Sequence, residues 1–301
     1  MKNLLRNRDF IMLLALVLGV FLGHGAVWTR PFVLPVLALV MTLSTMAVSS
    51  QIFRSPRSLL VPALVGNLMS YLVLTGMLLG IAGLLIEDTS LWKGFVILAA
   101  VPPAIAVIPF SEFLKGNHSY ALIGTMGAYL GGLILMPLIA LFFIGTSFID
   151  PLKILVVMIE LIVIPLVLSR ILLWTRADRW IEGIKGTLTN WSFFVVTYTI
   201  VGLNRDLILN DPLSLLPVAV IAVASTFLLG YLVELAGKVL KIDPKITITL
   251  VLLGTLKNYG LAGGVALMIF DKQTAVPATV STIFMIVYIA WLSVKGLRKK
   301  R

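Results

Sequence analysis

The sequence predicts an all-α polytopic membrane protein whose ten transmembrane helices form two inverted five-helix repeats. Three observations predict this fold class: an apolar composition, ten apolar stretches of spanning length, and basic residues concentrated in alternate loops. Of the 301 residues, 59% are hydrophobic and 12% are charged, and the mean hydropathy is +1.07. Soluble proteins carry about 25% charged residues. The composition therefore indicates a chain that lies largely within lipid.

The ten apolar stretches are separated by short polar breaks, and each is close to the ~20 residues that a spanning helix requires. They cover residues 9–28, 31–50, 59–86, 92–115, 119–146, 151–174, 189–204, 213–239, 245–270 and 275–294. The first follows a basic stretch, but it is longer than the ~7–15 apolar residues of a signal peptide and lacks a small-x-small cleavage site. We therefore expect it to be a retained helix.

The loop charges predict a multi-pass protein of the inner or plasma membrane with both termini in the cytoplasm. Most of the 24 Lys and Arg residues fall in the termini and loops of one side. The loops of the other side carry one each: Arg30, Lys93, Lys153, Arg205 and Lys272. A missed or extra helix would scramble this alternation, so it supports the count of ten. The net charge of +11 is thereby assigned to topology and the lipid bilayer, and neither a nucleic acid nor a protein partner is implied.

Asp150 and Pro151 mark the expected seam between the repeats, which are residues 1–149 and 150–301. Five helices in each half give the halves opposite orientations in the membrane, which is the signature of an inverted-topology repeat.

The fourth and ninth stretches occupy matching positions in the two halves, and both are interrupted. The fourth, FVILAAVPPAIAVIPFSEFLKG, contains Pro102, Pro103 and Pro109, which remove backbone donors and clash with the preceding turn. The ninth, LLGTLKNYGLAGG, contains Gly254 and Gly260. Proline and glycine are common in membrane helices, so simple kinking is the alternative. Interruptions at corresponding positions of two repeats instead favour a transporter binding site.

Lys257 lies inside the ninth stretch, about 20 Å from either end and therefore near the bilayer midplane. A charge at that depth costs at least ~2.5–3.5 kcal/mol and usually marks a functional site. Each break also leaves a helix N-terminus with a partial positive charge at the midplane, with Pro109 in one first turn and Asn258 and Tyr259 near the start of the other. Two such ends together with Lys257 favour an anionic substrate group, a carboxylate being the simplest.

A buried lysine normally pairs with a carboxylate, and two acids are candidates. Glu112 follows the fourth break by about one turn, although it is also placed to pair with Lys115 at the interface. Glu160 lies at middle depth in the sixth stretch, as a partner, a substrate gate or a polar residue between helices. Glu234 is expected to pair with Lys238, four residues later.

Further polar side chains lie within the spans at a depth near the breaks. In the third stretch these are Asn67, Ser70 and Tyr71, and in the seventh they are Thr197 and Tyr198. They are candidates for facing the substrate, but hydrogen bonds that merely hold the helices together explain them equally well.

Other classes of function have little support in the sequence. The chain has no cysteine and two histidines, both at segment ends, and no motif of a serine hydrolase or zinc peptidase. We therefore expect neither an enzyme nor a metal centre, and no cofactor. A channel would need a polar pore lining, whereas the interior polar groups cluster at one level.

The motifs NRDF-IMLLALVLG, AAVPPAIAVIPFSEFLKGN and LGTLKNYGLAGGVAL resemble the bile acid:sodium symporter family, and the resemblance covers essentially the whole chain. It implies that helices 4 and 9 cross at their breaks. It also implies a core domain of helices 3–5 and 8–10 and a panel domain of helices 1, 2, 6 and 7. Substrate would lie between these domains, with alternating access from their relative motion.

The sequence departs from the family pattern at the sodium ligands. Apolar residues stand where the family has oxygen ligands, at Val107, Ile108, Ala121 and Leu253, while Thr125 and Asn258 are retained. Lys257 stands where the family has a glutamine, close to where a sodium ion would sit. The lysine is thus placed to act as a tethered cation, or to bind and release a proton during the cycle.

The sequence therefore predicts a secondary transporter for a small organic anion that is not coupled to sodium. Within the ninth stretch, the substrate and coupling residues are expected to be Thr255, Lys257, Asn258 and Tyr259. The alternatives are a sodium-coupled symporter of bile-acid-like or other organic acids, with sodium as its cofactor, and a permease of the auxin-efflux-carrier type. The residues do not identify the substrate.

Overall fold

The computed structural model describes residues 8–46, 56–145, 152, 156 and 159–298, and the regular secondary structure of these residues is helical. The α-helices are α1 Arg8–Leu22, α2 Ala26–Thr29, α3 Val33–Thr45, α4 Pro56–Asn67, α5 Thr75–Leu85, α6 Thr89–Ala100, α7 Val107–Phe113, α8 His118–Ile144, α9 Ile164–Trp174, α10 Asp178–Leu203, α11 Arg205–Asn210, α12 Leu216–Val223, α13 Leu229–Val239, α14 Pro244–Leu253, α15 Tyr259–Ile269 and α16 Val276–Arg298. Three stretches are wound as π-helix: Leu68–Leu74, Ile159–Val163 and Ala224–Leu228.

Several helical stretches are long and apolar enough to cross a membrane, which supports a multi-pass membrane protein. They are Phe10–Thr45, Leu59–Leu85, His118–Ile144, Pro212–Val239 and Val276–Lys295. The ten-helix inverted repeat stays a prediction, and its expected seam at Asp150 and Pro151 lies outside the described residues, as does Lys153.

The stretch Phe10–Thr45 covers the first two predicted spans, and both arms pack along α10. In α1, Gly19 lies against Val201. After short 3₁₀ turns, the Oγ1 atom of Thr29 lies 2.5 Å from that of Thr199. The two arms therefore share α10 as a packing partner.

Both expected interruptions are present. The fourth predicted span consists of α6 and α7, separated by the segment that holds Pro102 and Pro103. The ninth consists of α14 and α15, separated by residues 254–258. Pro109 lies in the first turn of α7, as predicted, because its missing N–H is unneeded there. Gly260 was expected at the break but belongs to the first turn of α15, since Asn258 already caps that helix.

The helix α10 begins at Asp178, well before the seventh predicted span at residue 189. Its first turns carry Glu182 and Lys185, three positions apart, a spacing at which opposite charges favour a helix. A hydropathy pattern reports only the apolar part of such a helix. Residues 178–188, which were expected to form a polar loop, are helical instead.

Small residues bring α4 and α8 into close contact. A Cβ atom added to Gly66 would lie 2.2 Å from the carbonyl oxygen of Gly124, and one added to Gly127 would lie 2.4 Å from the Cβ of Ala63. This close approach places the π-helical stretch Leu68–Leu74, which follows α4, against the helix break described next.

Candidate helix-break site

The two interruptions lie against each other as a short antiparallel pair of backbones. Pro103 and Lys257 are bridged. On either side of them, the N–H of Ala104 donates to the carbonyl of Leu256 at 3.0 Å, and the N–H of Asn258 donates to the carbonyl of Pro102 at 3.0 Å. Each break therefore satisfies one N–H group and one carbonyl of the opposite break, as a buried unwound segment requires.

Lys257 is completely buried at this junction. Its Nζ atom donates to the hydroxyl of Ser70 at 3.0 Å and to the carbonyl of Val101 at 2.9 Å, and it lies 4.5 Å from the centre of the Tyr71 ring. An ammonium has three N–H donors, and a ring face within about 6 Å attracts a cation. The amine thus has three electron-rich neighbours.

The expected pairing of Lys257 with a carboxylate is wrong for both candidates. Glu112 has a side chain that is 74% exposed, and its carboxylate lies 3.6 Å from His118. Glu160 is exposed on the π-helical stretch Ile159–Val163. Within the described part of the chain, no ion pair is formed by Lys257. In place of a carboxylate, Lys257 meets a carbonyl at a helix end, a hydroxyl and an aromatic face. The separate expectation that Glu234 pairs with Lys238 is confirmed, at 3.2 Å.

Asn258 is the N-cap of α15. Its side-chain oxygen accepts from the N–H of Leu261 at 3.0 Å, and its side-chain nitrogen donates to the hydroxyl of Tyr129 in α8 at 3.0 Å. Tyr259 donates its hydroxyl to the carbonyl of Thr255 at 3.2 Å, which closes the unwound segment on itself. The residues predicted around the ninth break are therefore brought together, and they link it to α8.

A cavity of about 150 Å³ lies beside the junction. One wall consists of the residues that lead into α7 and α15, from Ala104 to Ala106 and from Lys257 to Gly260. The other walls come from α1, α3, α10 and α16 and are mostly apolar, with Thr197 and Thr282 among the polar exceptions. On the same measure a single water needs ~10–15 Å³, so the space suits a small organic molecule.

The four helix ends at the junction separate the two signs of partial charge. The helices α7 and α15 begin at the cavity, so their positive ends meet it. The helix α6 ends beside Lys257, whose amine binds the carbonyl of Val101. The helix α14 ends at Gly254, which lies against Met69 of the π-helical stretch. The amine of Lys257 thus lies on the negative side. Lys257 itself lines the cavity, whereas the neighbours of its amine, Ser70, Tyr71 and Val101, do not.

The positions that the family resemblance relates to sodium ligands form no oxygen cluster. Val107, Ile108, Ala121 and Leu253 are buried apolar side chains. The hydroxyl of Thr125 is buried without a hydrogen-bond partner. Among the described residues, no group of three or more His, Cys, Asp or Glu is placed to hold a metal ion. The retained Asn258 already uses its side chain for the N-cap and Tyr129.

The other polar candidates divide between the site and its surroundings. Ser70 and Tyr71 contact Lys257, and Thr197 lines the cavity. Asn67 donates to the carbonyl of Ala63 within its own helix. Tyr198 donates to the carbonyl of Leu22 and so joins α10 to α1.

Sequence reasoning missed Val101, Thr282 and Ser293. Val101 acts through its carbonyl, which no side-chain pattern reveals. Thr282 and Ser293 line the cavity from α16. Their only sequence signal is that both are hydroxyl residues in an apolar helix. Comparisons of the chain with protein-family models and with curated proteins gave no match.

Proposed function

We propose that the chain is a secondary transporter that moves a small organic anion by alternating access, without sodium coupling. One observation carries the proposal: the N-terminal ends of two broken helices, α7 and α15, meet the same cavity. The aligned peptide dipoles of such ends attract anions, and broken helices of this kind bind substrates near the midplane of transporters. The N–H groups of Val107, Ile108 and Tyr259 are already bonded to nearby carbonyls, so the attraction rests on the dipoles. No reactive chemistry is needed, and we propose a carrier rather than an enzyme.

The placement of the cavity supports alternating access. Its walls come from α1, α3 and α10 on one side and from the two broken helices and α16 on the other. We propose that the first group belongs to the panel domain and the second to the core domain of a ten-helix inverted repeat of the bile acid:sodium symporter type. Motion between two such bodies would expose a ligand at their boundary to each side of the membrane in turn.

The absence of sodium coupling is supported by the side chains around the junction. Sodium requires several oxygen ligands, and the four corresponding side chains are apolar. Lys257 brings a positive charge to the same region and binds Ser70 and Val101 there. We propose that this amine stands in for the ion, so that the carrier acts as an exchanger, a facilitator or a proton-coupled transporter.

A ligand screen followed by transport tests the proposal. Purified protein is screened for a rise in melting temperature with small mono- and dicarboxylates, with and without sodium. A stabilising acid is then measured in proteoliposomes as counterflow, in which unlabelled acid inside drives uptake of labelled acid. We expect saturable counterflow in sodium-free buffer. Uptake that requires a sodium gradient, or ion conductance without saturation, would contradict the proposal.

A cavity-filling variant provides the matched control. Ala106→Leu adds apolar volume within the cavity, whereas Ala236→Leu makes the same change on an exposed face of α13. We expect Ala106→Leu to reduce counterflow by about tenfold or more, since a lost fit of ~1.4 kcal/mol already gives that factor. Ala236→Leu should leave it unchanged.

A further inference from the structure

The surroundings of Lys257 resemble a binding socket for a cation more than a hydrogen-bond network around a neutral amine. The carbonyl of Val101 and the face of Tyr71 only accept, and the hydroxyl of Ser70 can accept. A neutral amine would also need a donor for its lone pair, and of these three groups only the serine could supply one. A charged amine uses all three neighbours as acceptors.

The helix ends add to this preference. Val101 follows the last residue of α6, and Gly254 follows the last residue of α14, so both C-terminal ends lie at the junction. The partial negative charge of a helix C-terminus favours a cation. Lys257 therefore occupies the part of the junction where the backbone field stabilises positive charge, although no carboxylate pairs with it among the described residues.

The winding of the chain before α5 explains how the socket forms. The stretch Leu68–Leu74 is π-helical, and its neighbours Ser70 and Tyr71 both reach the amine. Tyr71 is fixed from the other side, since its hydroxyl donates to the carbonyl of Ala128 at 3.1 Å. A Cβ atom on Gly132 would lie only 2.4 Å from that hydroxyl, so the absence of a side chain at Gly132 makes room for the tyrosine. π-Bulges are frequent at functional sites.

Among the described residues that face the junction, no carboxylate or imidazole is placed to accept a proton from Lys257. The titratable side chains there are tyrosines: Tyr71 from the π-helical stretch, Tyr129 from α8, Tyr259 from α15 and Tyr288 from α16. Phenols ionise only near pH 10 in water. A proton relay from Lys257 would therefore lack a first acceptor among the described residues around the amine.

We propose that Ser70, Tyr71 and the carbonyl of Val101 hold the Lys257 ammonium as a permanently bound cation, so that the carrier completes its cycle without exchanging a sodium ion or a proton at this site. This inference rests on the proposed anion transport and selects among its modes. The carrier is then a facilitator or an anion exchanger. Ser70 and Tyr71 are positioning residues, because they act on the substrate only through the charge of Lys257.

Chemical rescue tests the socket without any transport assay. Lys257→Ala removes three methylene groups and the amine, which propylammonium replaces. We expect the variant to lose about 5 °C or more of melting temperature and propylammonium to restore most of that loss. When Lys257→Ala is combined with Tyr71→Phe, which keeps the ring, rescue should persist. When it is combined with Tyr71→Leu, rescue should disappear. Lys257→Met fills the socket with an uncharged chain and should not respond. Lack of rescue, or equal rescue by sodium chloride, would overturn the proposal.

Nuclear magnetic resonance of the native chain provides a second measurement, should Lys257→Ala fail to fold. Lysine is labelled with ¹⁵N at Nζ, and the Lys257 signal is assigned by its absence from Lys257→Met. The signal should keep its ammonium shift from about pH 6 to about pH 9, where free lysine is also charged. Loss of the proton within this range would overturn the proposal. Both measurements are independent of substrate, so failure of counterflow alone would instead count against anion transport.

Discussion

The hydroxyl of Ser111 in α7 lies 2.9 Å from the hydroxyl of Thr249 in α14. Thr249 is fully buried and also accepts a hydrogen bond from the N–H of Asn117 at 3.0 Å, in the turn before α8. This contact joins the second half of one broken helix to the first half of the other, away from the junction at Lys257. The two broken helices are therefore held together at a second level, in addition to the junction at Lys257.

Replacing Thr249 with valine should destabilise the protein by about 1–3 kcal/mol, because it leaves the buried hydroxyl of Ser111 without this partner. Thr42→Val is the control, since the hydroxyl of Thr42 donates to the carbonyl of Ala38 in its own helix and has no other partner among the described residues. Melting temperatures in one detergent compare the variants. A double variant with Ser111→Ala should be less destabilised than the sum of the two single changes. Additive losses would show that the two hydroxyls are not coupled.

The contact of α4 with α8 predicts an unequal response to the same substitution at different glycines. In Gly66→Ala the new methyl would lie 2.2 Å from the backbone oxygen of Gly124, which cannot move without shifting a helix. Overpacking of this kind costs typically ~1–3 kcal/mol. Gly76→Ala and Gly80→Ala meet no atom within 4 Å. They should be neutral or slightly stabilising, and equal melting temperatures for all three variants would contradict the close approach.

The sequence alone predicted the two breaks, because the chemistry of proline and glycine acts on the local backbone. It also placed Lys257, Asn258 and Tyr259 at one of them. The partner of Lys257 was not predictable in this way, since Ser70 lies 187 positions away and is brought near by the π-helical stretch. The general rule that a buried cation pairs with a carboxylate failed because a carbonyl and an aromatic ring took that place. A backbone carbonyl or an aromatic ring carries no formal charge, so the sequence does not mark it as the partner of a lysine.

The two lysines that contact the carboxylate of Glu234 should contribute unequally to the stability of the protein. Lys295 reaches it at 2.5 Å and also lies 4.8 Å from the centre of the Trp291 ring, whereas the side chain of Lys238 is 65% exposed. Exposed pairs contribute typically ~0–1 kcal/mol. Lys238→Ala should therefore change the melting temperature little, and Lys295→Ala should lower it clearly. Raising the salt concentration should weaken only the Lys238 contact, and an equal salt response of both variants would contradict this ranking.

Asn258 allows the cap of α15 to be separated from the charge of the cavity. Asn258→Asp keeps an oxygen for the N–H of Leu261, so the helix should remain capped, whereas Asn258→Ala should lose about 1 kcal/mol. The new carboxylate would lie on the cavity wall and repel an anion there. Asn258→Asp loses the side-chain N–H that donates to the hydroxyl of Tyr129, but that hydroxyl can donate to the new carboxylate instead. We expect Asn258→Asp to melt above Asn258→Ala and to lose counterflow of the acid found in the ligand screen.

Asn117→Asp makes the same change at the N-cap of α8, where the side-chain oxygen accepts from the N–H of Tyr120 at 3.0 Å and the residue does not line the cavity. Because it retains a cap and adds the same charge elsewhere, it should keep both stability and counterflow. If Asn117→Asp and Asn258→Asp impair transport equally, the effect comes from net charge. If Asn258→Asp transports normally, the anion does not bind at the start of α15, and the cavity beside the junction is not the substrate site.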